Sequence, residues 1–330
     1  MEPKVFKILT IDGGGIKGLY SSKIIEHIEE EHNCKIADYF DMICGTSTGG
    51  IIALGLSLGI DAKEISKLYE EKGIWIFPKQ NKIKAAIKQL LIGGKYNNEH
   101  LRESLSDTFG DKKIKDCQNL LCIPSYSYTD ARPWVFKKDH KEGNLSRDNE
   151  AYCVDVALAT SAAPTYFPLV ELEYFDSKQF VDGGIWANNP SLVGFLEALR
   201  FFVGENKEYN HLKILSISSL TSPKGKVTGL KTNRSFRHWR GDLIEIMMNG
   251  QALFTVKFME WIHQINNIPV TYIRIPSCDL APEQQEIIQM DNASPNAIKL
   301  LRGKGNDMGI VWRKDPEIAQ FFTQVKTYKF

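Results

Sequence analysis

The sequence lacks the features that mark several broad classes of protein. Its 330 residues carry 41 lysines and arginines against 40 aspartates and glutamates, and this net charge of +1 argues against a surface built to hold a nucleic-acid polymer. The longest run of apolar residues and glycines, residues 49–60, is too short to cross a bilayer, and the first residues do not resemble a secretory signal. No Pro/Gly/Ser-rich linker, fixed-period repeat or low-complexity tract divides the chain. We therefore expect one soluble domain over residues 1–330.

Cysteine pairs of the C-x-x-C type are also absent. The six cysteines are scattered, and several lie in apolar surroundings, as reduced buried thiols do. This distribution favours a cytoplasmic protein. Hydrophobic residues make up 43% of the chain and charged residues 25%, which is typical of a globular protein and excludes disordered and fibrous classes.

Short β-branched runs alternate with segments of helical periodicity. Residues 5–11 predict a strand followed by a glycine loop and a helix, and residues 38–44 and 50–58 repeat this order. The alternation indicates an α/β fold with a mainly parallel central sheet, helices on both faces and a largely helical C-terminal portion. Further predicted strands cover residues 120–126, 134–137, 179–181 and 212–218. Further predicted helices cover residues 98–107, 152–160, 191–202, 243–265 and 295–302, the last opened by Ser294 and Pro295.

Three glycine-rich motifs each follow a predicted strand. They are DGGGIKG (residues 12–18), GTSTGG (residues 45–50) and DGG (residues 182–184). Ligands of open α/β sheets bind at the carboxyl ends of the strands, so the three motifs are placed to meet at one edge of the sheet.

Ser47 lies between Gly45 and Gly49 in the pattern G-x-S-x-G. A sharp strand-to-helix turn requires small residues at both positions, and the following helix directs its N-terminal dipole at the serine. The pattern also occurs by chance, and a nucleophilic serine needs a base. None of the seven histidines follows a strand at a glycine turn, whereas Asp182 does. We therefore predict a Ser47–Asp182 dyad in which burial raises the pKa of the carboxylate.

The first motif presents backbone amides on three successive glycines, Gly13, Gly14 and Gly15. Converging amides can stabilise an oxyanion or hold a phosphate, so the loop alone fits both. It also satisfies G-x-G-x-x-G, but a dinucleotide site needs an acidic residue at a strand end about 20 residues later. The acidic residues at that distance, 29–31, lie in a helical pattern, which weakens this interpretation. Asp12 is expected to cap the loop by accepting backbone N–H bonds.

In this order and spacing the three motifs resemble those of the patatin-like phospholipase family. Similar supporting stretches are ATSAAPTYFP (residues 159–168), DGGIWANNP (residues 182–190) and MDNASPNAIKLL (residues 290–301), so the resemblance covers about residues 6–301. It implies a three-layer patatin-like fold. It also implies a lipid acyl hydrolase of the phospholipase A type that uses a Ser-Asp dyad and needs neither a metal nor a cofactor.

Carried over motif by motif, the resemblance implies a role for each residue. Ser47 would be the nucleophile and Asp182 the base, and the oxyanion hole would consist of the amides of Gly13, Gly14 and Gly15. The supporting residues around these motifs would be Lys17, Gly45, Gly49, Gly183 and Gly184.

The resemblance also implies partners. The substrate would be membrane phospholipid, reached by peripheral contact with the bilayer. A free lipase would attack its own cell, so some control is expected. Compact bacterial members of the family resemble anti-phage effectors that a nucleotide messenger switches on, which makes a cyclic dinucleotide a candidate activator. Association with further copies of the same chain, as a homo-oligomer, is a remaining alternative.

Three segments allow more than one interpretation. Residues 79–91 surround an apolar set with lysines, as a helix on an anionic bilayer or a solvated helix on the protein core would. Residues 224–242 interleave six basic residues with two aromatic ones, which suits a cyclic dinucleotide, lipid headgroups or a mobile charged loop. There, Arg237 and Arg240 are the candidate activator contacts. Residues 243–261 most simply predict a core helix, although a lid over an acyl channel has the same pattern.

Two other functions remain compatible with these residues. One is a nucleotide-binding module in which the glycine loop holds phosphate and Ser47 is structural. The other is an esterase or acyltransferase with the same dyad but a substrate that is not a lipid.

Overall fold

The computed structural model describes residues 4–80, 93–221, 228–230, 232–233, 236–262, 264–265 and 268–330. Two of the predicted segments fall largely outside these ranges. Within the segment of residues 79–91, residues 81–91 are outside the described ranges. Within the basic-aromatic segment of residues 224–242, much of the part before residue 236 is outside them as well. The interpretations of both segments stay predictions.

Eight strands of the described chain form one sheet. They are β1 (Val5–Ile11), β2 (Met42–Gly45), β3 (Leu120–Ser127), β4 (Arg132–Lys137), β5 (Val170–Leu172), β6 (Lys178–Asp182), β7 (His211–Ile217) and β8 (Val270–Ile275). Their order is β5-β6-β3-β2-β1-β7-β8, with β4 paired to β3. The strands β3, β2, β1, β7 and β8 run parallel, whereas β4 and β6 pair antiparallel with β3. The predicted mainly parallel sheet is therefore confirmed in its centre.

Helices connect and cover these strands. They are α1 (Gly18–His32), α2 (Thr48–Ser57), α3 (Ala62–Ile76), α4 (Glu99–Phe109), α5 (Cys153–Thr160), α6 (Gly184–Ala187), α7 (Ser191–Phe201), α8 (Phe236–Ile262), α9 (Pro282–Ile287), α10 (Pro295–Trp312) and α11 (Pro316–Ala319). Within the described ranges, none of them combines the length and the apolar character that crossing a membrane requires.

The sheet separates two apolar cores. Successive side chains of a strand point to opposite faces, so a strand buried on both sides carries apolar residues on both faces, as β1 does. Leu9 and Ile11 belong to the core that contains the buried residues of α1, α2 and α3. Ile8 belongs to the other core, with Phe195 of α7 and Met259 of α8. This arrangement confirms the expected three-layer α/β fold.

Several elements differ from the sequence-based expectation. The strand β8 was not predicted, although its sequence VTYIRI is β-branched and aromatic, because the last third was expected to be helical. The helix α3 was also missed. The strand predicted over residues 38–44 begins only at Met42, since residues 36–38 form a 3-10 turn. The helix α8 begins at Phe236 rather than at residue 243.

Helix α10 also differs from the prediction, because it continues to Trp312 instead of ending at residue 302. Its start agrees with the prediction, since Ser294 Oγ accepts a hydrogen bond from Ala297 N at 3.4 Å. Glycine usually interrupts a helix, but here two glycines let α10 lie against α1. A Cβ at Gly305 would lie 2.8 Å from Lys23 Cβ, and one at Gly309 would lie 2.8 Å from His27 Cβ.

The close contact between α10 and α1 predicts opposite effects of two alanine substitutions. Gly305→Ala should lower the free energy of unfolding by about 1–3 kcal/mol, because the new methyl group overlaps α1. Gly303→Ala should raise it by about 0.5–1 kcal/mol, since Gly303 is exposed, has open space beside it and gains helix propensity. Urea unfolding measures both values. Equal effects of the two substitutions would contradict this packing.

Candidate active site

Ser47 lies in a tight turn between β2 and α2. Its φ of 56° and ψ of −125° are unfavourable for a residue with a side chain, a kind of strain that clusters at functional sites. A Cβ at Gly45 would lie 2.0 Å from the carbonyl oxygen of Gly49, and one at Gly49 would lie 2.2 Å from that of Ile11. Both positions therefore require glycine. Thr160 Oγ1 accepts a hydrogen bond from Ser47 N at 3.0 Å and holds the turn.

Asp182 is the last residue of β6, and its carboxylate contacts Ser47 directly. Ser47 Oγ donates a hydrogen bond to Asp182 Oδ2 at 2.7 Å, and Gly184 N donates one to Oδ1 at 2.6 Å. Gly183 allows this approach, because a Cβ there would lie 2.2 Å from the carbonyl oxygen of Pro124. The hydroxyl thus reaches the carboxylate without an intervening imidazole.

Burial of this pair shifts the acidity of the carboxyl group. Ser47 is 5% exposed and Asp182 is 2% exposed. Removal from water raises the pKa of Asp182 to about 7, and the hydrogen bonds from Gly184 and Ser47 oppose the shift. A carboxyl group with a pKa near 7 can accept and return a proton at neutral pH.

The glycine loop of residues 12–18 ends β1 next to the serine. A Cβ at Gly13 would lie 3.3 Å from Ser47 Cβ. The amide of Gly13 donates a hydrogen bond to the carbonyl oxygen of Asn188 at 2.9 Å. This bond corrects the expectation that all three glycine amides are free to bind an anion. Among the residues that the structure describes, the amides of Gly14 and Gly15 have no hydrogen-bond acceptor.

The backbone of Met290 braces the glycine loop. Gly15 has a φ of +60°, and a Cβ there would lie 2.2 Å from the carbonyl oxygen of Met290. The same oxygen accepts a hydrogen bond from Ile16 N at 2.9 Å. The sequence stretch of residues 290–301 therefore contacts the first motif directly, which fixes the direction of the glycine amides.

Asp12 does not have the role that the sequence predicted. Instead of capping the glycine loop, its carboxylate forms a buried two-bonded ion pair with Arg274 of β8, at 2.5 Å from Nη2 and 3.3 Å from Nη1. Arg274 also donates a hydrogen bond to Ser216 Oγ at 2.6 Å. Burial raises the pKa of Asp12, and the Arg274 guanidinium lowers it. The prediction failed because β8, which carries the arginine, was not foreseen.

An apolar pocket, here called the acyl pocket, opens at the serine and the aspartate. Its wall comes from several helices and loops that are far apart in sequence. Apolar side chains dominate it, and they include Ile51, Ile76, Phe77, Leu101, Phe167 and Met248. This lining suits a hydrocarbon chain attached to a group that reacts at Ser47.

Helix α8 covers the site and has two apolar faces. Its inner face buries Met259 and also Met248, which lines the acyl pocket. Its outer face exposes Ile246, Phe254 and Trp261, which are 53%, 65% and 63% exposed. The interpretation of residues 243–261 as a core helix is therefore wrong for the outer half of its surface. A helix above the acyl pocket fits the lid alternative.

The sequence motifs missed several residues of the site. Thr160 and Asn188 lie inside stretches that were singled out, but no role was assigned to them. Arg274 and Met248 lie in β8 and α8, where no short motif marks a functional residue. Their contribution depends on tertiary packing.

Comparison with known proteins supports the motif-based resemblance. The sequence profile of the family "Patatin-like phospholipase" matches residues 9–193, more than half of the chain and both motifs that hold Ser47 and Asp182. The chain belongs to the patatin-like phospholipase family. Patatin-like phospholipases hydrolyse esters, so this protein is an ester hydrolase of that family.

The alignments with individual relatives cover nearly the whole of this chain. A cGAMP-activated phospholipase of Pseudomonas aeruginosa is 32% identical, and the alignment covers 91% of this chain and 87% of that protein. One of Vibrio cholerae is 29% identical, with coverage of 98% and 96%. Among solved structures, human GIVD cytosolic phospholipase A2 aligns over 97% of this chain and 60% of its own, with 12% identity and a TM-score of 0.48, too distant a likeness to inform function.

The raised pKa of Asp182 predicts how stability depends on pH. Below about pH 3 the carboxyl group is protonated in the folded and the unfolded protein, whereas above about pH 7 folding must bury an anion. The wild type therefore loses stability as the pH rises from about 4 to about 7. Asp182→Asn, which stays neutral, should be more stable than the wild type at pH 8, by about 4 kcal/mol.

Urea unfolding at several pH values measures this difference. The control is Asp307→Asn, because Asp307 is an exposed carboxylate. If the free energies of unfolding of Asp182→Asn and the wild type differ by the same amount from pH 4 to pH 8, the pKa of Asp182 is not raised in the folded protein.

Proposed function

We propose that this protein is a phospholipase A type lipid acyl hydrolase that uses Ser47 as nucleophile and Asp182 as base. The observation that carries the proposal is the 2.7 Å hydrogen bond from Ser47 Oγ to Asp182 Oδ2 at the opening of the acyl pocket. Membership of the patatin-like phospholipase family gives independent support.

In the first half-reaction, Ser47 attacks the ester. Asp182 Oδ2 takes the proton of the hydroxyl as Oγ bonds to the carbonyl carbon of the substrate. The negative charge then moves to the carbonyl oxygen, where the amides of Gly14 and Gly15 are the donors for the oxyanion. Collapse of this intermediate expels the lysophospholipid alkoxide, which receives the proton from Asp182.

In the second half-reaction, water releases the fatty acid. Asp182, ionised again, takes a proton from a water molecule that attacks the acyl-Ser47 ester. The same two amides stabilise the second oxyanion, and Ser47 Oγ leaves with the proton held by Asp182. Both steps need the carboxyl group to change protonation state, which a pKa of about 7 favours.

The outer face of α8 is the surface that we propose to contact the membrane. Its exposed apolar residues include two aromatic ones, Phe254 and Trp261, on a helix whose inner face lines the acyl pocket. Six basic residues lie between residues 224 and 240, just before and within the first turns of this helix. An apolar helix face beside a basic segment suits an anionic bilayer. Docking by this face would place the pocket beside the lipid.

Activation by a cyclic dinucleotide is also part of the proposal. It rests on the two long relatives named cGAMP-activated phospholipases, from Pseudomonas aeruginosa and Vibrio cholerae. Such a switch would keep the enzyme inactive until the nucleotide is made, as anti-phage defence requires. The candidate contacts Arg237 and Arg240 stay a prediction from the sequence, because their side chains lie outside the described structure.

The dyad is tested by fatty-acid release from phospholipid vesicles in the presence of chelator and cGAMP. The wild type should release fatty acid, whereas Ser47→Ala and Asp182→Asn should each lose at least about 10³-fold in rate, since the nucleophile or its base is gone. Omission of cGAMP should abolish release by the wild type. Undiminished release by Ser47→Ala would rule out the mechanism, and equal rates with and without cGAMP would rule out the switch.

Membrane docking through α8 predicts that Phe254→Ser weakens binding to anionic vesicles about 10-fold, because it removes a large exposed aromatic side chain. The matched control is Val311→Ser on α10, which is 67% exposed against 65% for Phe254. Co-sedimentation with vesicles measures the affinity. If both variants bind as tightly as the wild type, the outer face of α8 is not the docking surface.

A further inference from the structure

A second pocket, here called the polar pocket, adjoins the acyl pocket at the glycine loop. Gly13 and Gly14 form part of its wall. Tyr166, Met248 and Met290 line both pockets. A phospholipid whose acyl chain lies in the acyl pocket and whose ester reaches Ser47 would therefore extend its headgroup towards the polar pocket.

Of the residues that the structure describes, one side chain of each charge lines the polar pocket. Lys17 belongs to the glycine loop, Glu245 lies on α8, and both side chains line the pocket. No hydrogen bond or ion pair within 4.0 Å joins these two described side chains, so they are not a salt bridge. Burial lowers the pKa of Lys17, and the charge of Glu245 opposes the shift. Within the described part of the chain, neither charge is neutralised by the other, so each can pair with an opposite charge on a ligand.

The rest of the polar pocket can form neutral hydrogen bonds. Asn188, Asn249 and Gln289 supply amide groups to its wall. Asn188 Oδ1 is buried and has no hydrogen-bond partner in the described structure, and Asn188 as a residue is 3% exposed. A buried acceptor without a partner costs free energy, which an N–H donor of a bound ligand would recover.

We propose that the polar pocket binds a zwitterionic phospholipid headgroup, with its phosphate at Lys17 and its ammonium group at Glu245. Glu245 then selects among headgroups. A phosphoethanolamine headgroup carries one charge of each sign and matches both side chains. A phosphoglycerol headgroup carries only the negative charge and meets Glu245 with repulsion. This inference rests on the proposed lipid hydrolase function.

The test uses vesicles that contain equal amounts of phosphatidylethanolamine and phosphatidylglycerol, with cGAMP present. Because both lipids share one surface, membrane affinity cancels in the ratio of the two lysolipid products, which mass spectrometry measures. The wild type should produce more lysophosphatidylethanolamine. Glu245→Gln should lower the product ratio about fivefold, as expected for the loss of one partly exposed ion pair, and Glu245→Asp should retain most of it.

The matched control is Glu260→Gln, a second exposed acidic residue of α8, which forms an ion pair with Lys257 at 2.7 Å. This variant should keep the wild-type ratio. A ratio that Glu245→Gln leaves unchanged, or that Glu260→Gln lowers equally, would overturn the headgroup assignment.

A short-chain soluble ester separates this inference from the proposed function. That substrate has no headgroup, so Glu245→Gln should hydrolyse it at the wild-type rate while Ser47→Ala should not hydrolyse it. If Ser47→Ala is inactive on the soluble ester and the lipid ratio is unchanged in Glu245→Gln, only the headgroup inference fails. If Ser47→Ala stays active, the proposed function fails first.

Discussion

The hydrogen bond between Ser47 and Asp182 depends on backbone segments that approach without side chains between them. Gly49 brings the serine turn to within van der Waals contact of the end of β1, and Gly183 brings the end of β6 against Pro124. Any larger residue at either position would separate the hydroxyl from the carboxylate. The glycines of the motifs therefore allow the short distance between the Ser47 hydroxyl and the Asp182 carboxylate, and the chemistry of the pair depends on that distance. In the proposed mechanism, this direct contact would give Ser47 a base without a histidine.

Close approach also removes water, and this has a cost in stability. The carboxylate of Asp182 is buried with hydrogen bonds from Ser47 and Gly184 and, among the described residues, no paired cation, so burial raises its pKa towards neutrality. Asp12, equally buried at the end of the neighbouring strand, pairs with Arg274 instead. Two carboxylates at one edge of the sheet thus have different environments. The paired one stabilises the frame of the glycine loop, and the unpaired one can exchange a proton.

The sequence predicted the parts of this site that local backbone geometry dictates. Strand ends followed by glycines located Ser47, Asp182 and the glycine loop, because tight turns restrict residue type. The sequence did not reveal which amides stay free, since the bond from Gly13 to Asn188 joins segments far apart in the chain. The apolar residues of α8 led to the prediction of a core helix, because the sequence does not distinguish a buried apolar face from an exposed one. In α10, glycines that normally end a helix instead allow contact with α1.

The most direct test of the account is covalent labelling of the activated serine. A fluorophosphonate probe bonds to a nucleophilic serine oxygen with loss of fluoride, and peptide mapping by mass spectrometry locates the adduct. With cGAMP present, we expect one adduct on Ser47 in the wild type and no comparable labelling in Asp182→Asn, whose serine lacks its base. Labelling of a different serine, or equally fast labelling of Ser47 in Asp182→Asn, would contradict a nucleophile activated by the direct 2.7 Å hydrogen bond.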